Sequence, residues 1–91
     1  MSDAAERARA LHKEIKDVLL KEWDPIGVQA IPEAQDEYDS YIPKVYSILI
    51  ARKPINEMIE YLVWLETEHM GLAADRQRTQ NIAERLLSLL A

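Results

Sequence analysis

The apolar residues of this chain recur every three or four positions, the spacing that places side chains on one face of an α-helix. In the first segment, Asp3 to Glu22, this stripe consists of Ala4, Ala8, Leu11, Ile15 and Val18. Pro25 follows shortly afterwards and cannot continue the hydrogen-bond ladder of a helix. We therefore predict a first helix that ends near Trp23-Asp24-Pro25.

Three further segments have the same spacing and predict three more helices. The second, Glu33 to Arg52, contains Pro43, whose ring and missing N–H predict a kink there, or a break into two shorter helices. The third runs from Pro54 to Met70, and Gly71 is a typical residue to end it. The fourth covers Ala74 to Leu90. With no pattern typical of a strand, the expected fold is all-α, a compact bundle of about four helices.

The length of 91 residues predicts a single helical domain spanning 1–91. A chain of this size buries a modest core, so a homodimer is one way for it to gain further buried surface. The composition, 48% apolar and 30% charged, is typical of a folded globular protein. The chain has no cysteine, which excludes a disulfide framework, a zinc–thiolate site and a cysteine nucleophile.

The start of the chain does not read as an export signal. Its first ten residues include four charged side chains and no apolar core region, so we expect no secretory signal peptide. No apolar run approaches the roughly 18 residues that a membrane span needs. These features predict a cytoplasmic protein without a membrane segment.

The acidic residues are unevenly distributed and are concentrated in the middle of the chain. The net charge is −5, and the stretch from Glu22 to Gly71 has ten acidic residues against three basic ones. All six aromatic residues lie in the same stretch. An acidic protein is a poor match for nucleic acid, whose affinity for proteins comes mainly from lysine and arginine on phosphates. The expected partner is a protein with a basic surface, or a cation.

The predicted loop 23–32 is longer than most connections in helical bundles, and longer loops are more often functional. Together with the start of the second helix it forms the candidate partner-binding face, which consists of Trp23, Asp24, Asp36, Glu37, Asp39 and Tyr41. The competing interpretation is structural. Acidic residues are common in a first helical turn, and aromatic residues such as Trp23 and Tyr41 often pack in a small core.

A carboxylate metal site is the alternative function. Asp24, Asp36 and Asp39, with Ser40, could offer oxygen ligands to a hard cation such as Mg²⁺ or Ca²⁺. The pair Glu66 and His69 has the Glu-x-x-His spacing that di-iron four-helix proteins use twice. Here the pair occurs once, so a di-metal site would need a homodimer. The competing interpretation places His69 at a helix C-terminus, where the dipole favours it.

Familiar catalytic and cofactor motifs are absent from the sequence, including the nucleophile elbow, the P-loop, the zinc-protease motif and the Rossmann glycine pattern. We therefore expect no cofactor and a non-enzymatic role. The favoured interpretation is a protein-interaction module that uses the candidate partner-binding face, which is both acidic and aromatic. An immunity-type protein that neutralises a toxin is one concrete form of it, and a regulatory subunit is another.

The chain resembles the YugE-like family of small bacterial proteins. The resemblance covers most of the length and rests on Trp23-Asp24-Pro25-Ile26-Gly27, on the Asp36-Glu37-Tyr38-Asp39 run and on the ending Ile82-Ala83-Glu84-Arg85-Leu86-Leu87. It implies a compact all-α fold and a bacterial origin. Because that family has no established activity, the resemblance implies no catalytic or binding residue.

Overall fold

The computed structural model describes residues 3–90 of the chain. Within that range the chain forms four α-helices, and the predicted all-α fold is confirmed. The helices are α1 (Asp3–Asp17), α2 (Ile42–Ile50), α3 (Ile55–Trp64) and α4 (Arg76–Leu87). None of the helices in residues 3–90 combines the length and the apolar content that crossing a membrane requires.

Two of the helices widen into π-helical turns at their C-terminal ends. Val18–Trp23 continues α1, and Leu65–His69 continues α3. Hydrogen bonds between residues five apart define these turns: the Asp24 N–H donates to the Leu19 carbonyl at 2.9 Å, and the Met70 N–H to Leu65 at 2.9 Å. π-turns are rare and are found frequently at functional sites.

The segment before α2 is where the second predicted helix is interrupted. It starts at Pro32, contains the 3₁₀ turns Pro32–Ala34 and Asp39–Tyr41, and bends by 23° at residues 35–38. The predicted interruption therefore exists, but the bend precedes Pro43, which lies in the first turn of α2. The physical reason is that a first-turn N–H has no acceptor within the helix, so proline loses nothing there.

The core is formed by one stripe from each helix. α1 packs against α2, α3 packs against α4, and α4 also contacts the π-turn that ends α1. The core is aliphatic except at a few positions, and its most buried members include Ile15, Leu19, Val45, Leu49, Met58, Leu62, Leu65 and Leu86. The molecule measures 44 × 33 × 18 Å, so it is thin in one direction.

The ends of α3 and α4 follow the local sequence signals. Gly71 has a φ of +71°, the left-handed conformation that the predicted helix end requires. The Leu72 N–H then donates to the Glu66 carbonyl at 2.7 Å. At the start of α4, the Asp75 carboxylate accepts a hydrogen bond from the Arg78 N–H at 3.2 Å. This cap fixes the first turn of α4 next to the end of α3.

The position of Pro43 leads to a test. Pro43→Ala should change the free energy of unfolding by no more than about 1 kcal/mol, because the first turn needs no N–H at this residue. Ser47→Pro, at an exposed position inside α2, should lower it by about 3 kcal/mol. Urea unfolding followed by far-UV circular dichroism measures both changes, and equal losses would contradict the assignment of Pro43 to the first turn.

Candidate functional site

A buried carboxylate joins the two π-turns. Glu66 is only 4% exposed, and its Oε2 accepts a hydrogen bond of 2.7 Å from the indole N–H of Trp23, which is fully buried. A charged group in the core costs several kcal/mol unless hydrogen bonds compensate for the lost water. The Trp23 N–H supplies one of those bonds, so the ends of α1 and α3 are tied together through their side chains.

The second donor to Glu66 comes from α4. The Thr79 hydroxyl, also fully buried, lies 3.0 Å from Oε2 and 3.1 Å from Oε1 of Glu66. It lies 3.0 Å from the Asp75 carbonyl as well, and its single proton serves one acceptor at a time. α1, α3 and α4 therefore meet at one buried polar centre.

Arginine side chains of α4 hold the end of α1 from outside. The Arg78 guanidinium donates to the Trp23 carbonyl and, at 3.2 Å, to the Glu22 carbonyl. Arg85 forms an ion pair with the Glu22 carboxylate at 3.2 Å. The last carbonyls of a helix have no intrahelical donor, so these contacts satisfy groups that the π-turn leaves open.

Asp24 organises the loop that follows. Its backbone is left-handed, with a φ of 30°, and its Oδ1 accepts hydrogen bonds of 2.7 Å from both the Val28 N–H and the Tyr38 hydroxyl. Its Oδ2 accepts one from the Gln29 N–H at 3.2 Å. Burial alone would raise the pKa of Asp24, but these hydrogen bonds to the carboxylate outweigh burial and lower it. The loop is therefore closed around an ionised aspartate.

A row of aromatic rings in contact reaches the surface at the end of α3. Trp64 is 51% exposed and stacks on Tyr61 at 6.4 Å between ring centroids and on His69 at 5.9 Å. His69 in turn meets the edge of Tyr41 at 5.8 Å. Burial raises the pKa of Tyr41, and the nearby Glu37 carboxylate adds to the effect. We name Glu37, Tyr41, Tyr61, Trp64 and His69 the acidic-aromatic face.

The structure divides the six residues predicted to bind a partner. Trp23 lies in the core, and Tyr41 is buried except for a small part of its surface, as the competing interpretation expected. Asp24 binds its own loop, and Asp39 forms an ion pair with Lys16 at 3.1 Å. The remaining two, Asp36 and Glu37, are exposed.

The donors of the alternative metal sites have other roles. The Asp24 carboxylate accepts from its loop, Asp39 pairs with Lys16, and Glu66 is bonded to Trp23 and Thr79. Within residues 3–90 no three histidine or carboxylate side chains are grouped so that they could hold a metal ion. The arrangement therefore offers no geometric support for the hard-cation or the di-metal hypothesis.

The buried polar centre was not anticipated from the sequence, although a signal was present. Thr79 belongs to the apolar stripe of α4, since Ile82, Ala83 and Leu86 follow it at helical spacing. Glu66 likewise falls four residues after Leu62, on the buried face of α3. A polar residue on a buried stripe indicates a buried partner, and two such residues on neighbouring helices indicate each other.

The buried centre predicts a specific loss of stability. Thr79→Val keeps the shape of the side chain and removes the hydroxyl, so the Glu66 carboxylate keeps only the Trp23 donor. We expect the free energy of unfolding to fall by about 1–3 kcal/mol in urea titrations. Thr67→Val is the matched control, because that hydroxyl, in a half-buried residue, donates to the Val63 carbonyl and makes no hydrogen bond to another described residue outside its own helix. Equal, small losses would contradict the role given to Thr79.

The lowered pKa of Asp24 predicts that the stability of the protein depends on pH. Its pKa lies below the ordinary 3.8 in the folded state, so its contribution to stability is complete above pH 3.8 and is lost as the pH falls through the lower folded value. Asp24→Asn should therefore be less stable than the wild type near neutral pH, and the difference should shrink below pH 3.8. Urea unfolding at a series of pH values measures the difference.

The control for this experiment is Asp36→Asn. Asp36 is exposed, and its side chain makes no hydrogen bond to another described residue. We expect its stability curve to run close to that of the wild type at every pH. A difference between wild type and Asp24→Asn that stays constant down to the lowest pH would contradict the assignment of the loop bonds to the ionised carboxylate.

Comparison of the chain with known proteins gives no relative. No family model matches it, and neither a curated protein nor a solved structure does. The resemblance to the YugE-like family at Trp23-Asp24-Pro25-Ile26-Gly27 therefore stays a prediction.

Proposed function

We propose that this protein is a non-enzymatic interaction module that binds a basic protein surface through its acidic-aromatic face. The observation that carries the proposal is Trp64, which is half exposed and held by stacking on Tyr61 and His69. Large aromatic side chains contribute most to the free energy of binding when an interface buries them. An exposed tryptophan held in one orientation is therefore suited to contact with a partner.

The stacking also lowers the cost of binding. A side chain that is mobile in the free protein loses rotamer freedom when a partner immobilises it, about 0.5–1.5 kcal/mol for each such side chain. Trp64 is already restrained by its two ring neighbours, and His69 is restrained by Tyr41. Binding at this face therefore loses less side-chain conformational entropy than binding through mobile side chains.

The charges around Trp64 indicate the chemistry of the partner. Glu37 lies beside Tyr41, and Glu60 and Glu68 lie four residues before and after Trp64 on exposed surface. Arg76 already pairs with Glu60 at 2.7 Å, whereas Glu37 and Glu68 make no ion pair with another described residue. Aromatic rings beside carboxylates favour lysine and arginine, through cation–π contact and charge-assisted hydrogen bonds.

The proposed face differs from the one inferred from sequence. It keeps Tyr41 and Glu37, with Asp36 exposed next to Glu37, and it leaves out Trp23, which a partner cannot reach. It also leaves out Asp24 and Asp39, because their carboxylates already have partners in the loop and at Lys16. An immunity-type protein covering the cationic active site of a toxin, in the bacterial cytoplasm, is one concrete form of this proposal; a regulatory subunit is another.

The test compares partner capture by variants of the face. Immobilised wild type, Trp64→Ala and the double variant Asp36→Asn, Glu37→Gln are exposed to a bacterial lysate, and the captured proteins are identified by mass spectrometry. We expect one or more basic proteins on the wild type and at least tenfold less on Trp64→Ala, because truncating a central tryptophan costs about 2 kcal/mol or more. The double variant should bind less and depend less on salt.

A matched control removes the same charge elsewhere. Asp3→Asn, Glu84→Gln changes two exposed acids on α1 and α4 and should capture the partner as the wild type does. Equal capture by the wild type and both face variants would contradict the proposed function. If the Asp36→Asn, Glu37→Gln variant and the control lose the same amount of captured protein, net charge selects the partner and this face does not.

A further inference from the structure

A second surface of the molecule is a groove of about 530 Å³ between the first turns of α1, the end of α2 and the C-terminal turn. It shares no residue with the acidic-aromatic face. Its apolar lining consists of Ala4, Ala8, Ala10, Leu11, Tyr46, Ile50, Leu89 and Leu90. Ile50 is 53% exposed there, which is unusual for a large aliphatic side chain beside other apolar residues.

The groove also has one charge of each sign. Arg7 and Glu14, both on α1, belong to its lining, and neither makes an ion pair with another described residue. They are seven residues apart, which is two helical turns or about 10.5 Å along the axis. A ligand that matches the groove therefore presents an acid opposite Arg7 and a base opposite Glu14, at the same separation.

We propose that the groove is a self-association surface, occupied by α1 of a second copy of this chain running antiparallel. α1 itself presents the required charges at the required separation. When the two-fold axis passes between Ala10 and Leu11, Arg7 lies opposite Glu14 of the partner subunit, and the same contact forms again on the other side of the axis. One symmetric arrangement thus pairs all four charges.

The small side chains of α1 suit such a contact. Ala4, Ala8 and Ala10 are small. The axes of the two α1 helices can therefore approach to the lower end of the 8–10 Å range at which helices usually pack. The second copy would cover Ile50 and Tyr46, which border the groove. Dimerisation here would enlarge the apolar area buried by a small, thin molecule and would leave the acidic-aromatic face unused.

The charges allow a swap experiment measured by sedimentation equilibrium at protein concentrations from about 10 μM to about 1 mM. The wild type should dimerise. Arg7→Glu and Glu14→Arg should each weaken the dimer at least tenfold, because each places two like-charge pairs across the axis. The double variant Arg7→Glu, Glu14→Arg exchanges the charges and restores both pairs, so its dissociation constant should return to within about threefold of the wild type.

Three further variants separate this interface from other effects. Arg9→Glu, exposed on α1 outside the groove lining, should leave the dissociation constant unchanged. Ile50→Glu should abolish the dimer while the far-UV circular dichroism spectrum and Tm stay close to those of the wild type. Trp64→Ala should dimerise normally, which keeps this inference separate from the proposed function.

A wild type that stays monomeric at about 1 mM would overturn the inference. A dimer that none of the charge changes or Ile50→Glu weakens would overturn it too, because the interface would then lie elsewhere. If both single variants weaken the dimer and the double variant does not recover, the antiparallel pairing of Arg7 with Glu14 of the partner subunit is wrong.

Discussion

The buried hydrogen bond between the Trp23 indole and the Glu66 carboxylate is the interaction on which the rest of the structure depends. It joins residues 43 positions apart in the chain and places a carboxylate in a largely apolar core. Such a group is tolerated only when its oxygens have donors, so the ends of α1 and α3 and the start of α4 must come together around it. Thr79 completes the requirement from α4. An arrangement of the helices that moved Trp23 or Thr79 away would leave the Glu66 carboxylate buried with fewer donors, which costs free energy.

The same hydrogen bond also positions two parts of the surface. The loop closed by Asp24 begins at the residue after Trp23, so its position follows from the position of the indole. On the other side, His69 lies three residues beyond Glu66 in the same π-turn, which brings its ring next to Tyr41 and Trp64. The acidic-aromatic face is therefore a consequence of how the core is fixed, and both depend on the two widened turns.

The sequence predicted the features that arise from local patterns. Burial of an apolar stripe produces a three-to-four periodicity, so the helices were found, and Gly71 marked the end of α3. Pro43 was harder, because its chemistry allows either a broken helix or a helix start, and only the packing of the preceding 3₁₀ turns decides between them.

The remaining features depend on contacts between distant residues. A π-turn adds one residue to a single turn, which leaves too short a pattern to recognise. The burial of Trp23 depends on contacts with residues far away in the chain, among them its hydrogen bond to Glu66. The acidic composition pointed to the middle of the chain but could not separate Asp24 and Asp39, which have internal partners, from the exposed Asp36 and Glu37.

The contrast between the two tryptophans has an optical consequence. Trp23 is fully enclosed and hydrogen-bonded, whereas Trp64 is half in solvent. An enclosed indole emits at shorter wavelength and is shielded from dissolved quenchers, while an indole in contact with water emits at longer wavelength and is quenched readily. The chain thus contains two natural fluorophores, one that reports on the integrity of the core and one that reports on the occupancy of the surface.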